Sequence, residues 1–205
     1  MKQTVILLFL ALLSFSSCSK DKDLDTPTQK EATTEHQEML KEINFLRTNP
    51  QGYAEQRLKP YYDKRDDNGA YNDVKNTKAV QSLKLNKKLI ASAEHYADVL
   101  AKKNKLSHSF GGSLGDRLKS FDYNWMGCGE NIAYGSYPYL NVEKDAKETA
   151  IRYVLMYVID KNVEGVGHRK NLLNPSWKEV GVGFSKNSSN FFNAQQFGSG
   201  EMNAQ

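Results

Sequence analysis

The chain reads as an α+β fold, helical through most of its length and closing on a pair of strands. Two observations predict this. Leu89, Ala93, Tyr96, Ala97 and Leu100 recur at helical spacing, and a second apolar helical stretch runs from Val142 to Asp160. Near the C-terminus the period then drops to two. Val180-Gly181-Val182-Gly183-Phe184 alternates apolar residues with glycine, and Phe191 to Phe197 follows as a second extended run. Glycine at every other position predicts a strand that another backbone approaches closely.

Taken in order, the chain opens on Met1-Lys2-Gln3 and an apolar run from Thr4 to Phe15, too short to span a bilayer as a helix. Ser16 and Ser17 precede Cys18, and the whole resembles the signal and lipobox of bacterial lipoproteins, which implies cleavage to leave Cys18 as the acylated N-terminus. Residues 1–17 are therefore expected to be a signal peptide and residues 18–33 a lipidated, flexible tether. Lys20-Asp21-Lys22-Asp23 and Pro27 carry too little apolar surface there to fold. Residues 34–205 are left for one globular domain, which suits a chain of 205 residues with 39% hydrophobic and 25% charged residues. A formal charge of +4, with no basic run interleaved with aromatics, argues against a nucleic-acid partner.

Thr34-Glu35-His36-Gln37 fits a capping box, opening a helix with Met39, Ile43 and Leu46 on one face and Asn49-Pro50 at its end. A short helix is expected from Pro50 to Leu58, and an ordered loop over Lys59 to Asn76. Asn86 opens the long helix and Asn104 closes it. Gly111 to Gly115 reads as a turn and Asp116 to Phe121 as a short helix. Cys128-Gly129-Glu130 is a glycine-bracketed acid entering an apolar stretch. In the second long helix, Tyr153 to Ile159 is apolar on nearly every side and belongs in the centre. A helical turn from Arg169 to Leu173 is stopped by Asn174-Pro175, and the strand Glu179–Ser185 pairs with Phe191–Phe197 across the turn at 186–190. With Cys18 acylated, Cys128 has no mate, so the domain is expected to fold without a disulfide. His36 and His95 fall off their helices' apolar faces and are expected to be solvated.

Four ionisable residues sit at element boundaries: His108, Glu130, Asp160 and His168. Two imidazoles and two carboxylates suit a divalent transition metal, since neutral imidazole is a good zinc ligand that a carboxylate can orient. They suit acid–base work equally well, and spacing alone leaves a purely structural role open. Ser107 and Ser109 lack the strained setting of an activated serine, and no His or Asn pattern marks Cys128 as a nucleophile.

Four motifs in order narrow the choice: Leu106-Ser107-His108-Ser109, Gly129-Glu130-Asn131-Ile132-Ala133, Gly167-His168-Arg169-Lys170-Asn171-Leu172-Leu173 and Val180 to Phe184. The series resembles the CAP superfamily of cysteine-rich secretory, antigen-five and pathogenesis-related proteins, also called the SCP domain, over about Glu38 to Gly198. That resemblance implies a three-layer α-β-α sandwich with a small antiparallel sheet and an open cleft lined by two histidines and two acids. His108, Glu130 and His168 carry over from their motifs. Asp160 is the best match to the second acid, with Glu164 second. Members of the superfamily are associated with lipid binding, divalent metals and protease activity. The expectation is an extracytoplasmic protein, anchored to the cell envelope through Cys18, whose cleft binds a small or lipid-like ligand. Zinc or another divalent cation would be held by His108 and His168. The alternatives are a metal-dependent hydrolase using the same four residues, or a surface interaction protein.

Overall fold

A computed structural model describes residues 28–62, 69–136 and 139–202, so Cys18 and the signal segment lie outside the described residues. Eight α-helices are described: α1 (Thr34–Thr48), α2 (Pro50–Tyr53), α3 (Lys59–Tyr62), α4 (Ala70–Lys75), α5 (Lys87–Lys103), α6 (Leu114–Ser120), α7 (Ala146–Ile159) and α8 (Gly167–Leu173). One sheet holds the strands β1 (Lys84–Leu85), β2 (Cys128–Ser136), β3 (Glu179–Lys186) and β4 (Asn190–Gly198) in the order β1-β3-β4-β2. The expected hairpin β3–β4 forms, with Gly183 opposite Ala194, and β2 joins β4 antiparallel. The sheet is antiparallel through its three long strands, with the two-residue β1 added parallel to β3. Helix α5 covers one face, while α1, α7 and α8 cover the other. The architecture is thus an α-β-α sandwich.

The glycines of β3 show why the layers sit so close. A Cβ on Gly181 would lie 2.0 Å from the Leu89 carbonyl carbon, and one on Gly183 2.1 Å from the Ala93 carbonyl oxygen. Only glycine lets α5 lie directly on the strand. The alternate residues Val180 and Val182 point the other way, into the main core with Met39, Ile43, Tyr153, Val154 and Val158. Asn86 caps α5 by accepting from Lys88 and Leu89 N–H groups, and Asn104 closes it in the left-handed conformation (φ 47°).

Several expectations need correction. The N-cap of α1 is Thr33, one residue earlier than expected, and His36 supplies the return bond: its Nδ1 accepts from Thr33 N at 2.9 Å. His36 is accordingly not solvated but 1% exposed, with Nε2 3.0 Å from Glu94 and its ring stacked on Phe184. A helical wheel counts apolar neighbours on one helix, whereas His36 is buried by α5 and β3. The stretch 59–76 is not all loop. It contains α3 and α4, whose Ala70 and Val74 enter the core at a spacing of four. Helix α7 starts at Ala146 rather than Val142, because Asp145 takes the cap by accepting from Glu148 N. The acid-bearing stretch at Glu130 is a full nine-residue strand. The segment just before α1, expected to be a flexible tether, is held to the domain at Lys30, whose N–H donates to the Lys87 carbonyl at 3.1 Å.

Candidate functional site

Strand β2 is one of the two edge strands of the sheet, with β4 beside it. Alternation along it sends Glu130 and Gln196, its register partner, toward the α5–α6 layer. Asn131 and Gln195 go toward the α7–α8 layer. Residues from both outer layers therefore meet around one edge.

On the α5–α6 side, His108 and Glu130 form a pair with Nδ1 2.8 Å from Oε1. The Glu130 carboxylate is buried and accepts twice more, from Arg117 Nη2 at 2.6 Å and Gln196 Nε2 at 3.0 Å. Arg117 also holds the turn bearing His108, donating from Nη1 to the carbonyls of His108 (2.9 Å) and Gly112 (3.0 Å). Its guanidinium lies over the Tyr96 ring at 3.7 Å, and the Tyr96 hydroxyl donates to the Ser107 carbonyl. A carboxylate fixed on three sides can orient an imidazole whose own side chain is 58% exposed.

On the α7–α8 side, Asp160 ends α7 in the left-handed conformation (φ 52°). That turn brings its buried carboxylate under the start of α8. Oδ2 accepts from the His168 backbone N–H at 2.9 Å and Oδ1 lies 2.6 Å from His168 Nδ1. The chain reaches His168 through Gly165 (φ 71°) and Val166 (φ 47°). A left-handed β-branched residue is costly, of the order of 1–3 kcal/mol, and such strain concentrates at functional sites. Glu164 is exposed, so Asp160, the better of the two sequence matches, is the acid that meets a histidine. Arg169 fixes the same turn by donating to the Val158 carbonyl at 2.6 Å, and it also pairs with Asp73.

The two pairs are stitched together by residues that spacing did not single out. Asn171 Nδ2 donates to the outward carbonyl of Glu130 (3.2 Å) and to Asn131 Oδ1 (3.0 Å), while Asn131 Nδ2 reaches the His168 carbonyl at 3.3 Å. The Tyr157 ring lies 5.1 Å from that of His168. Burial holds the Tyr157 phenol well above its ordinary value, and the charges of Tyr153, Glu130 and Asp160 add to that rise. Asn131 and Asn171 at least belong to the quoted motifs. Arg117, in a chain with many basic residues, gave no signal.

A carboxylate only accepts, so in the neutral form of each imidazole the pair places the proton on Nδ1 and leaves Nε2 as the acceptor. Neither Nε2 has a hydrogen-bond partner among the described residues. Ser107 and Ser109 hydroxyls lie 2.9 Å from each other, and no hydroxyl or thiol among the described residues bonds either imidazole. Cys128 is free and partly buried, and burial pushes its thiol up, with Glu130 adding to the effect. Among the described residues no three His, Cys, Asp or Glu side chains converge as a metal-binding group.

Comparison with known proteins agrees with this layout. The family model of the cysteine-rich secretory protein family, CAP, matches residues 40–197. The chain belongs to the CAP family. It is 31% identical over 143 residues to the human Golgi-associated plant pathogenesis-related protein 1, covering 65% of this chain and 80% of that protein. It is 29% identical over 120 residues to YkwD of Bacillus subtilis, covering 58% of this chain but only 40% of YkwD. Among solved structures, that of NaASP2 with Zn2+ superposes with a TM-score of 0.50 at 17% identity, covering 82% of this chain and 84% of that one. At that identity the likeness shows the shared fold. In this CAP domain the ordered motifs resolve into two imidazole–carboxylate pairs, His108 with Glu130 of β2 and His168 with Asp160 at the end of α7.

Proposed function

We propose that this CAP domain is an extracytoplasmic binding module, with His108 and His168 as the residues that meet the ligand. One observation carries the reading: both rings are tied at Nδ1 to a buried carboxylate, and neither Nε2 has a hydrogen-bond partner among the described residues. Such a pairing spends hydrogen bonds on orienting an acceptor atom, which a residue serving only as a brace does not need. The donor set fits a divalent cation of borderline softness such as zinc, with His108 and His168 as its protein ligands and Glu130 and Asp160 behind them. A bound cation there would supply a Lewis acid that attracts an oxygen of a small or lipid-like ligand. NaASP2, a protein of the same fold, has been crystallised with Zn2+. Binding is preferred to hydrolysis by a side-chain nucleophile because, among the described residues, no hydroxyl or thiol bonds either ring. The signal-like N-terminus and Cys18 support export and lipid anchoring.

Calorimetric titration with zinc tests the site. Wild type should bind one equivalent, weakly compared with a closed four-ligand site, and both His108→Ala and His168→Ala should lose binding while remaining folded. Equal binding by all three proteins would leave the pairs as braces. For the anchor, Cys18→Ser should move the protein from the membrane to the soluble fraction, and an unchanged distribution would end that part of the reading.

A further inference from the structure

The segment before α1 meets the domain at the N-terminal end of α5. The Lys30 N–H donates to the Lys87 carbonyl there, and the side chains of Lys30 and Glu31 pair with Glu94 and Lys87. Lys88 ties a second segment to the same end: its Nζ donates to Glu201 Oε2 at 2.8 Å and to the Asp122 carbonyl at 2.9 Å. Glu201 forms an antiparallel bridge with Trp125. The Met126 N–H donates to the Gly200 carbonyl at 3.0 Å on one side of that bridge, and the Met202 N–H to the Asn124 carbonyl at 2.7 Å on the other. Alternation puts Trp125 and Glu201 on one face of this short ribbon and Met126, Gly200 and Met202 on the other. The first face is packed, with Trp125 Nε1 donating to the Gly115 carbonyl at 3.1 Å. The second is open: Met126 is 55% exposed and Met202 53%. The Met126 methyl lies over Gly200, 3.0 Å from where a Cβ would stand. Two methionines therefore share an exposed face at the end of the domain where the tether arrives.

We propose that this end of the domain rests on the bilayer that holds the anchor, with Met126 and Met202 entering the boundary between headgroups and acyl chains. The inference rests on the reading of Cys18 as the lipidated N-terminus. Lys30 follows Cys18 by twelve positions, a reach of at most about 43 Å, so the start of α5 stays close to the membrane. The tether also makes docking an intramolecular event, at an effective concentration in the millimolar range. A patch too small to hold a free protein on a bilayer is then sufficient, and flexible methionines adapt to an irregular surface. Charge at this end is near balance, which favours apolar contact over attraction to anionic lipid. Lys30, Lys87 and Lys88 are matched by Glu94, Glu31 and Glu201. Lys84, Lys119 and Lys178 have no ion pair among the described residues, yet each has an acid close by. Glu179 is opposite Lys84 in register and next to Lys178, while Asp116 and Asp122 lie three residues either side of Lys119. Met126 precedes Glu130 by four residues, about 13 Å of extended chain. Docking here brings the His108–Glu130 side of the cleft close to lipid.

The test uses the protein purified with its anchor from cell envelopes and reconstituted into phosphatidylcholine vesicles that carry a photoreactive diazirine in the acyl chain. Flotation of the vesicles reports the anchor, and mass spectrometry of the irradiated protein reports the docking. Lipid adducts should concentrate on the peptides holding Met126 and Met202 and be absent from the turn at 186–190, which lies at the other end of β3. The double variant Met126→Ser, Met202→Ser changes two exposed side chains, so it should fold and float as wild type does. Its adducts on those peptides should fall about threefold to tenfold. Including about one-fifth phosphatidylglycerol should alter the wild-type yield by less than about twofold, since the local charges are near balance. Failure of wild type to float would end the anchoring reading and this proposal with it. Flotation with adducts spread evenly over the domain, or undiminished in the double variant, overturns the docking and leaves the anchor standing. A large gain from phosphatidylglycerol, or links between two protein chains at Met126 and Met202 in place of lipid adducts, does the same.

Discussion

Replacing Glu130 by Gln is the sharpest perturbation of the β2 edge, because it keeps the shape and removes one charge. The wild-type carboxylate accepts from Arg117, Gln196 and His108, and its side chain is only 2% exposed, that of Arg117 only 7%. A glutamine amide offers one oxygen where three donors converge, and turns its own two N–H groups toward them. Removing one partner of a buried ion pair costs about 3–5 kcal/mol, chiefly by stranding the other charge. Arg117 keeps two carbonyl acceptors, so the lower end, about 3 kcal/mol, is the expected loss. In urea unfolding that corresponds to a fall in midpoint of about 1–2 M. The double variant Glu130→Gln, Arg117→Met should lose less than the sum of the single losses, since it strands no charge. Nitrogen NMR of His108 supplies the functional half of the test: the proton should reside on Nδ1 in wild type and lose that preference in Glu130→Gln. A loss below about 1 kcal/mol, or an unchanged tautomer, would refute the claim that Glu130 is a buried ionic post orienting the ring.

Other expectations follow from the packing. Gly183→Ala should be among the most damaging single-methyl additions in the domain, because the new carbon meets the α5 backbone at 2.1 Å rather than a movable side chain. A loss of 3 kcal/mol or more is expected, beyond about 1–3 kcal/mol for ordinary overpacking. Unfolding at the wild-type midpoint would show that α5 can ride up on the sheet. Cys128 should alkylate more slowly than a free thiol in mildly alkaline buffer. Burial raises its thiol and Glu130 adds to the rise, against a smaller lowering by Arg117, so the thiolate stays scarce through the pH range where an ordinary cysteine ionises. Iodoacetamide kinetics followed by mass spectrometry decide it, and a rate matching that of the urea-unfolded protein would contradict it.

What could be read from the sequence, and what could not, divides by the range of the interaction that decides each feature. Helix α5 was legible because its apolar period, its Asn86 cap and its Asn104 terminator all lie within one short window and agree. The alternating glycines of β3 were legible because a missing side chain is itself a local record of close approach. His36 was misread because burial came from Glu94 and Phe184, far along the chain. The site shows the same division in one place. His168 and Asp160 are eight residues apart, and the left-handed turns between them, from Asp160 through Gly165 and Val166, make their pairing a nearly local event. His108 and Glu130 are joined across 22 residues through Arg117, a residue whose position gave no hint of its role. Bringing the two pairs together then requires β2 to be the sheet's edge strand, a property of strand order that no window of sequence contains. Motif resemblance supplied that long-range information, which is why it picked out Glu130, the carboxylate that meets His108, while remaining silent on Arg117. The free Nε2 atoms could have come only from coordinates, since they depend on which ring nitrogen each carboxylate takes. Both carboxylates take the same one, though Glu130 stands on strand β2 and Asp160 at the end of α7, and they reach their rings by unrelated routes. Two unrelated routes to the same exposed acceptor argue for a shared use of those acceptors more strongly than either pair does alone.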